Sequence, residues 1–185
     1  MWQLATAFAE IALRRRGPES LPDSTFLVLA LLGTRVLIGL FDLMLVDALS
    51  APYIIYLLLD GALWFAYVYA VLSFFKLERR YRQAVNATLG AQLMIYLAYL
   101  PVAFGAIIVG IELTEITFDW VRILLLVFWA EFVAAWVLAR ALSQPLIVGL
   151  MFEILYVLTS LSIGDLILPT ADPAAGVSGA METTA

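Results

Sequence analysis

Five apolar stretches, each long enough to cross a lipid bilayer as a helix, constrain this chain more than any other feature. A hydrocarbon core of about 30 Å needs about 20 apolar residues in helical conformation. The predicted spans cover residues 26–46, 53–75, 87–111, 121–139 and 146–164. They take up well over half of the 185 residues, and their connections are short. The sequence therefore predicts an all-α integral membrane protein, a five-helix transmembrane bundle with antiparallel neighbours.

Composition excludes most other classes of protein. Hydrophobic residues make up 64% of the chain and charged residues 14%, against about 25% charged residues in an ordinary globular domain. The absence of cysteine and histidine excludes thiolate and imidazole chemistry and argues against metal sites. A net charge of −5 argues against nucleic acid as a partner. No phosphate-binding glycine loop or serine elbow appears, so we predict no enzymatic activity and no cofactor.

Basic residues outside the spans lie mainly on one side of the predicted bundle. Those before the first span or between the second and third are Arg14, Arg15, Arg16, Lys76, Arg79, Arg80 and Arg82. Arg140 joins them between the last two spans, whereas the opposite side has Arg122 and the acidic loop 112–119. Because cytoplasmic loops are enriched in Lys and Arg, this bias predicts a multi-pass protein of the bacterial inner membrane. Its N-terminus would be cytoplasmic and its C-terminus extracytoplasmic.

The chain divides into three predicted parts, residues 1–17, 24–168 and 169–185. They are a cytoplasmic amphipathic helix, the transmembrane domain and a disordered extracytoplasmic tail. In the helix, Leu4, Phe8 and Ile11 share one face, and Trp2 suits the headgroup region. Two placements stay open: the helix lies on the cytoplasmic leaflet, or it packs on the inner ends of the bundle.

Five ionisable side chains fall inside the predicted spans: Arg35, Asp42, Asp60, Glu131 and Glu153. Each costs about 2.5–3.5 kcal/mol at the centre of a bilayer, so they are expected to face protein. Counting along the helices places Arg35, Glu131 and Glu153 near the midplane and the two aspartates nearer the outer side. We expect Arg35 to pair with Glu131 or Glu153, and Asp60 to lack a basic partner. The cluster is interpreted either as a site for protons or cations or as a structural ion pair with protonated acids.

An aromatic stripe surrounds Asp60 on the second span. Tyr53, Tyr56, Trp64 and Tyr67 recur on its helical face, and Asp60 is placed to accept a hydrogen bond from a neighbouring ring. One interpretation is a groove for a cationic or amphiphilic ligand. The other is a seam between two helices.

The layout of the chain also points to a family. A short helix ends in Leu13-Arg14-Arg15-Arg16-Gly17-Pro18-Glu19-Ser20-Leu21-Pro22, and five closely spaced spans follow. This layout resembles that of small bacterial proteins with a Yip-type domain. The Asp-Leu-Tyr-Gly-Pro motif of the eukaryotic members has only Asp60-Gly61 as a counterpart, so no functional residue is carried over. The resemblance implies five spans, a cytosolic N-terminus and the role of a membrane helper.

Two functions are compatible with these features. Small size, the lack of a soluble domain and faces of small residues such as Ala130, Ala134 and Ala135 favour an accessory or scaffold subunit that packs against another membrane protein. The alternative is a small transporter or channel that uses the intramembrane carboxylates for protons or cations. Because five helices are few for a transport path, the alternative predicts a homo-oligomer.

Overall fold

The computed structural model describes residues 2–45, 49–108, 120 and 123–168, and this part of the chain contains helices and no strand. The main helices are α1 Trp2–Ala12, α2 Thr25–Leu45, α3 Ala51–Phe74, α4 Tyr81–Ile108, α5 Ile123–Leu142 and α6 Leu146–Ile167. The first seven residues of α5, Ile123–Trp129, form a π-helix. Helices α2 to α6 are long and apolar enough to cross a membrane, and each coincides with one predicted span.

Several predictions concern residues outside the described part of the chain. They are the tail 169–185, the acidic loop 112–119, Arg122, and the outer ends of the first, third and fourth spans. Helix α4 begins at Tyr81, six positions before the predicted span, because the polar stretch 81–86 continues the helix beyond the apolar segment.

Helix α4 forms the centre of the bundle and packs against α1, α2 and α5. Half of its apolar segment is buried, compared with 6% of that of α2. Small residues on α4 allow close packing: the ring of Phe8 lies against Gly90, where a side chain would overlap it. Ala84, Ala87 and Ala91 are likewise buried on this helix.

Helix α1 packs on α4 and α5 through the face predicted to be apolar. Phe8 and Ile11 are buried, and the indole nitrogen of Trp129 donates a hydrogen bond to the carbonyl of Ala12 over 3.1 Å. Trp2 stays exposed at the start of the helix. The contact with α5 is extended by the guanidinium of Arg14, which lies 4.8 Å from the centre of the Phe132 ring.

Helices α5 and α6 form the closest pair in the bundle. A Cβ atom on Gly149 would overlap the backbone carbonyl of Ala135, and Ala139 lies beside it. The turn between the helices places Ser143 in the left-handed region at φ 57°. The small residues of α5 therefore serve a contact within the chain.

Candidate functional site

Asp60 of α3 is the centre of a polar network between three helices. Its Oδ1 accepts hydrogen bonds from the Tyr156 hydroxyl and the Ser160 hydroxyl of α6, each 2.5 Å long. Its Oδ2 lies 3.9 Å from Nη2 of Arg35 on α2, and 18% of the Asp60 side chain is exposed. The carboxylate thus ties α3 to both α2 and α6.

Arg35 connects this network to α4, because its Nη1 donates a 2.9 Å hydrogen bond to Oε1 of Gln92. Two expectations about Arg35 are wrong. Its ion pair is with Asp60 and not with Glu131 or Glu153, and Asp60 does have a basic partner. An arginine side chain reaches over a distance comparable with the pitch of a helix, about 5.4 Å, so the level of its Cα atom does not decide which acid it meets.

Glu131 and Glu153 form a second polar unit. The two carboxyl groups interact with each other, and Arg35 acts on Glu131 electrostatically. Two neighbouring carboxyl groups are unfavourable when both are ionised, because like charges repel strongly in an environment of low dielectric constant. Glu153 is 5% exposed, and its Oε1 has no hydrogen-bond partner within the described residues.

A cavity of about 230 Å³ opens between α2, α3, α4 and α5. Its polar wall consists of Arg35, Asp42, Gln92, Tyr96 and Glu131. Leucine and isoleucine side chains, among them Leu57 of α3 and Leu126 of the π-helical segment, complete the lining.

A much smaller cavity, of about 10 Å³, has Glu153 and not Glu131 in its lining. Glu153, Thr88 and Trp64 are among the residues around it. This volume is close to the ~10–15 Å³ that one water molecule needs. Glu131 thus lines the large cavity, and the neighbouring acid Glu153 lines the small one.

The aromatic stripe of α3 faces α6. The Tyr56 hydroxyl lies 2.9 Å from Oγ of Ser160, and Tyr67 donates a 2.6 Å hydrogen bond to the carbonyl of Phe152. Trp64 is buried, and Tyr53 is half-buried at the start of the helix. The structure thus places Tyr56 and Tyr67 in a contact between two helices.

Three residues of the site were not predicted from the sequence. They are Gln92, Tyr156 and Ser160. The donors to Asp60 come from α6, whereas the sequence suggested aromatic rings of α3 itself. A usable signal was present: Tyr156 and Ser160 follow Glu153 by three and seven positions, on the same helical face.

The loops at one end of the bundle carry most of the basic side chains. Arg82 pairs with Asp23 over 2.6 Å, and Arg80 donates a 2.7 Å hydrogen bond to the Ser143 hydroxyl, so the loops that precede α2 and follow α5 lie at the start of α4. We call this the basic end, defined by Lys76, Arg79, Arg80, Arg82 and Arg140. Arg16 pairs with Glu10 over 3.4 Å, and Arg15 is exposed.

Comparison of the chain with family models, curated proteins and solved structures gives no match. The resemblance to proteins with a Yip-type domain stays a prediction.

Proposed function

We propose that this chain is an integral membrane protein that carries protons or small cations through its five-helix bundle. The observation that supports this proposal is the polar cavity with Asp42 and Glu131 on its wall, next to the Glu131–Glu153 pair. Ionisable groups are costly inside a bilayer and typically mark ion or proton pathways when they surround a cavity.

The proposed location is the bacterial inner membrane, with the basic end on the cytoplasmic side. The positive-inside bias of the loops supports this orientation. The test uses single cysteines, because the chain has none of its own. We expect Arg79→Cys to react with an impermeant thiol reagent only in opened cells and Thr117→Cys to react in intact cells; the reverse pattern contradicts the orientation.

The two units of the site have different tasks in this proposal. The shared proton of Glu131 and Glu153 is the mobile one: Glu131 exchanges it with the large cavity, and Glu153 exchanges it with the small cavity beside Thr88. The Arg35–Asp60 pair is fixed by Gln92, Tyr156 and Ser160 and sets the shape of the site. Each exchange moves one proton between two oxygens and leaves no other bond changed.

An accessory or scaffold role is the second candidate. The faces of small residues that suggested it are used inside the chain, since Ala135 packs on Gly149. Helix α2 still favours such a role, because only 6% of its apolar segment is buried and Leu37 and Met44 are exposed. This surface is available to lipid, to another membrane protein or to a second copy, and native mass spectrometry after gentle extraction distinguishes these partners.

Proton flux into liposomes tests the leading proposal. Purified protein is reconstituted with a pH-sensitive dye inside the vesicles, and a potassium gradient with valinomycin supplies the driving force. We expect flux above that of empty vesicles, and at least a tenfold loss in Glu131→Gln and Glu153→Gln.

Asp165→Asn is the matched control, because Asp165 is an exposed acid on the same helix as Glu153. The control should retain the flux of the parent. Sodium and potassium uptake are measured in the same vesicles to separate protons from other small cations. A parent protein no faster than empty vesicles for every ion, or Gln variants as fast as the parent, would overturn the proposal.

A further inference from the structure

A second cavity, of about 470 Å³, lies at the basic end and shares no lining residue with the cavity of the proposed transport site. It is formed by the short 3-10 helix Pro18–Ser20, the start of α4 and the turn between α5 and α6. Its lining residues are Pro18, Glu19, Arg80, Gln83, Arg140, Ala141, Ser143 and Gln144. The volume falls within the range of about 300–1,000 Å³ that is usual for small-molecule sites.

Arg80 is held in place on one side of this cavity. Its Nη1 donates to the carbonyl of Ala141 and to the hydroxyl of Ser143, both over 2.7 Å. These bonds leave the Nη2 and Nε donors of Arg80 without an acceptor among the described residues. A guanidinium fixed through one nitrogen is a preorganised donor for a further anion.

Arg140 faces Glu19 across the same cavity, with 3.1 Å between Nη2 and the carboxylate. This pair is accessible to water, since 53% of the Arg140 side chain and 63% of the Glu19 side chain are exposed. Glu19 folds over Gly17, where a Cβ atom would overlap its carboxylate. The glutamate therefore reaches Arg140 across a position that has no side chain.

We propose that this cavity binds a phosphate group between Arg80 and Arg140, and that Glu19 is its internal competitor. Two arginines oppose a single carboxylate, and the side chains of Gln83, Gln144 and Ser143 add neutral hydrogen-bonding groups. Guanidinium groups bind phosphate through paired, charge-assisted hydrogen bonds. A phosphate that arrives takes the place that the Glu19 carboxylate occupies on Arg140.

The phosphate can belong to an anionic lipid or to a soluble compound. The lipid source rests on the membrane location proposed above, because only then does the basic end lie at the depth of the headgroups. The binding chemistry itself does not depend on that location or on ion transport.

Binding to the purified full-length protein tests the site. Native mass spectrometry in detergent compares phosphatidylglycerol, zwitterionic phosphatidylcholine and inorganic phosphate as probes. We expect phosphatidylglycerol or phosphate to bind, and Arg80→Gln and Arg140→Gln each to weaken that binding by about tenfold, the usual scale for one charge-assisted contact. Arg79→Gln is the matched control, because Arg79 is an exposed arginine of the basic end that does not line this cavity.

Removing the competing Glu19 carboxylate should raise the affinity for phosphate, whereas a folding defect would lower it. Glu19→Gln should bind the phosphate probe several-fold more tightly, and so should Gly17→Ala, whose methyl group displaces the Glu19 side chain. If only phosphatidylglycerol binds, the ligand is a lipid. If inorganic phosphate binds as well, the site recognises the phosphate group itself, whether it belongs to a lipid or to a soluble compound.

Three outcomes would overturn the site. The first is no binding of phosphatidylglycerol or phosphate, or binding of phosphatidylcholine as tight as that of phosphatidylglycerol. The second is an Arg79→Gln variant that loses as much affinity as Arg140→Gln. The third is a Glu19→Gln variant that binds no more tightly than the parent. Because proton flux is measured separately, failure here is distinguishable from failure of the transport proposal.

Discussion

Helices α2 and α4 are both apolar enough to cross a membrane, yet the bundle uses them in opposite ways. The mean hydropathy is 2.1 for α2 and 1.5 for α4. Nevertheless, 50% of the apolar segment of α4 is buried, compared with 6% of that of α2. Helix α4 is packed through small residues such as Ala87 and Gly90, whereas Leu31 is the single buried residue of α2 among those whose side chains are described. Small and polar residues, and not hydropathy, therefore distinguish the helix that packs inside this bundle.

The largest expected effect comes from adding volume where the bundle is closest. Gly149→Ala should lower the free energy of unfolding by about 3 kcal/mol, because its methyl group overlaps the rigid carbonyl of Ala135. The matched control is Gly33→Ala on α2, where a Cβ atom meets nothing within 4 Å. Chemical denaturation in detergent should find the control unchanged or more stable. Equal losses of unfolding free energy in both variants would contradict the difference in packing between α2 and the α5–α6 pair.

The attachment of α2 to the bundle is tested next. Arg35→Leu should cost about 2 kcal/mol, less than the ~3–5 kcal/mol of a fully buried pair because the Arg35 side chain is 37% exposed. The loss arises because Asp60 then lacks its cation. Arg35→Leu combined with Asp60→Asn should be more stable than Arg35→Leu alone, while Arg35→Leu combined with Glu131→Gln should not. The opposite ranking of these two double variants would assign the ion pair to Glu131.

A smaller effect is expected where α6 meets Asp60. Tyr156→Phe removes one donor to the carboxylate and should cost about 1–2 kcal/mol in the same denaturation assay, because the bond involves a charged acceptor. Tyr69→Phe is the control, since Tyr69 is 52% exposed. If the two variants lose the same stability, the bond between Tyr156 and Asp60 contributes nothing.

The smallest expected change is a gain at the basic end. Lys76 follows α3 with φ at 59°, a left-handed conformation that glycine adopts without strain. Lys76→Gly should therefore raise the free energy of unfolding by about 1 kcal/mol. Lys76→Ala removes the same charge but keeps the Cβ atom, so a similar gain in both variants would attribute the effect to charge.

The positions of the helices could be predicted from the sequence, but the partners within the site could not. Apolar runs of the length that a bilayer requires mark each helix, and proline and glycine mark the breaks. The ion pair of Arg35 depends on the reach of a long side chain and on how the helices are rotated, which residue spacing does not determine. Spacing did place Glu153, Tyr156 and Ser160 on one face, but it did not show that the last two face Asp60. The cavities follow from the packing of several helices together and have no signature in any one of them.

The proposed transport function requires that this apolar bundle contains a water-accessible cavity with carboxyl groups on its wall. Labelling of single cysteines with a charged, water-soluble thiol reagent in membranes tests it most directly, because the chain has no cysteine of its own. Ile38 lines the cavity, its neighbour Leu37 is exposed on the outside of α2, and Val133 is fully buried. We predict rapid labelling of Ile38→Cys, with Leu37→Cys in lipid and Val133→Cys in the core both unreactive, since the thiolate forms only where water reaches it. An Ile38→Cys variant as unreactive as Val133→Cys would show that water does not reach this cavity and would contradict the proposed transport site.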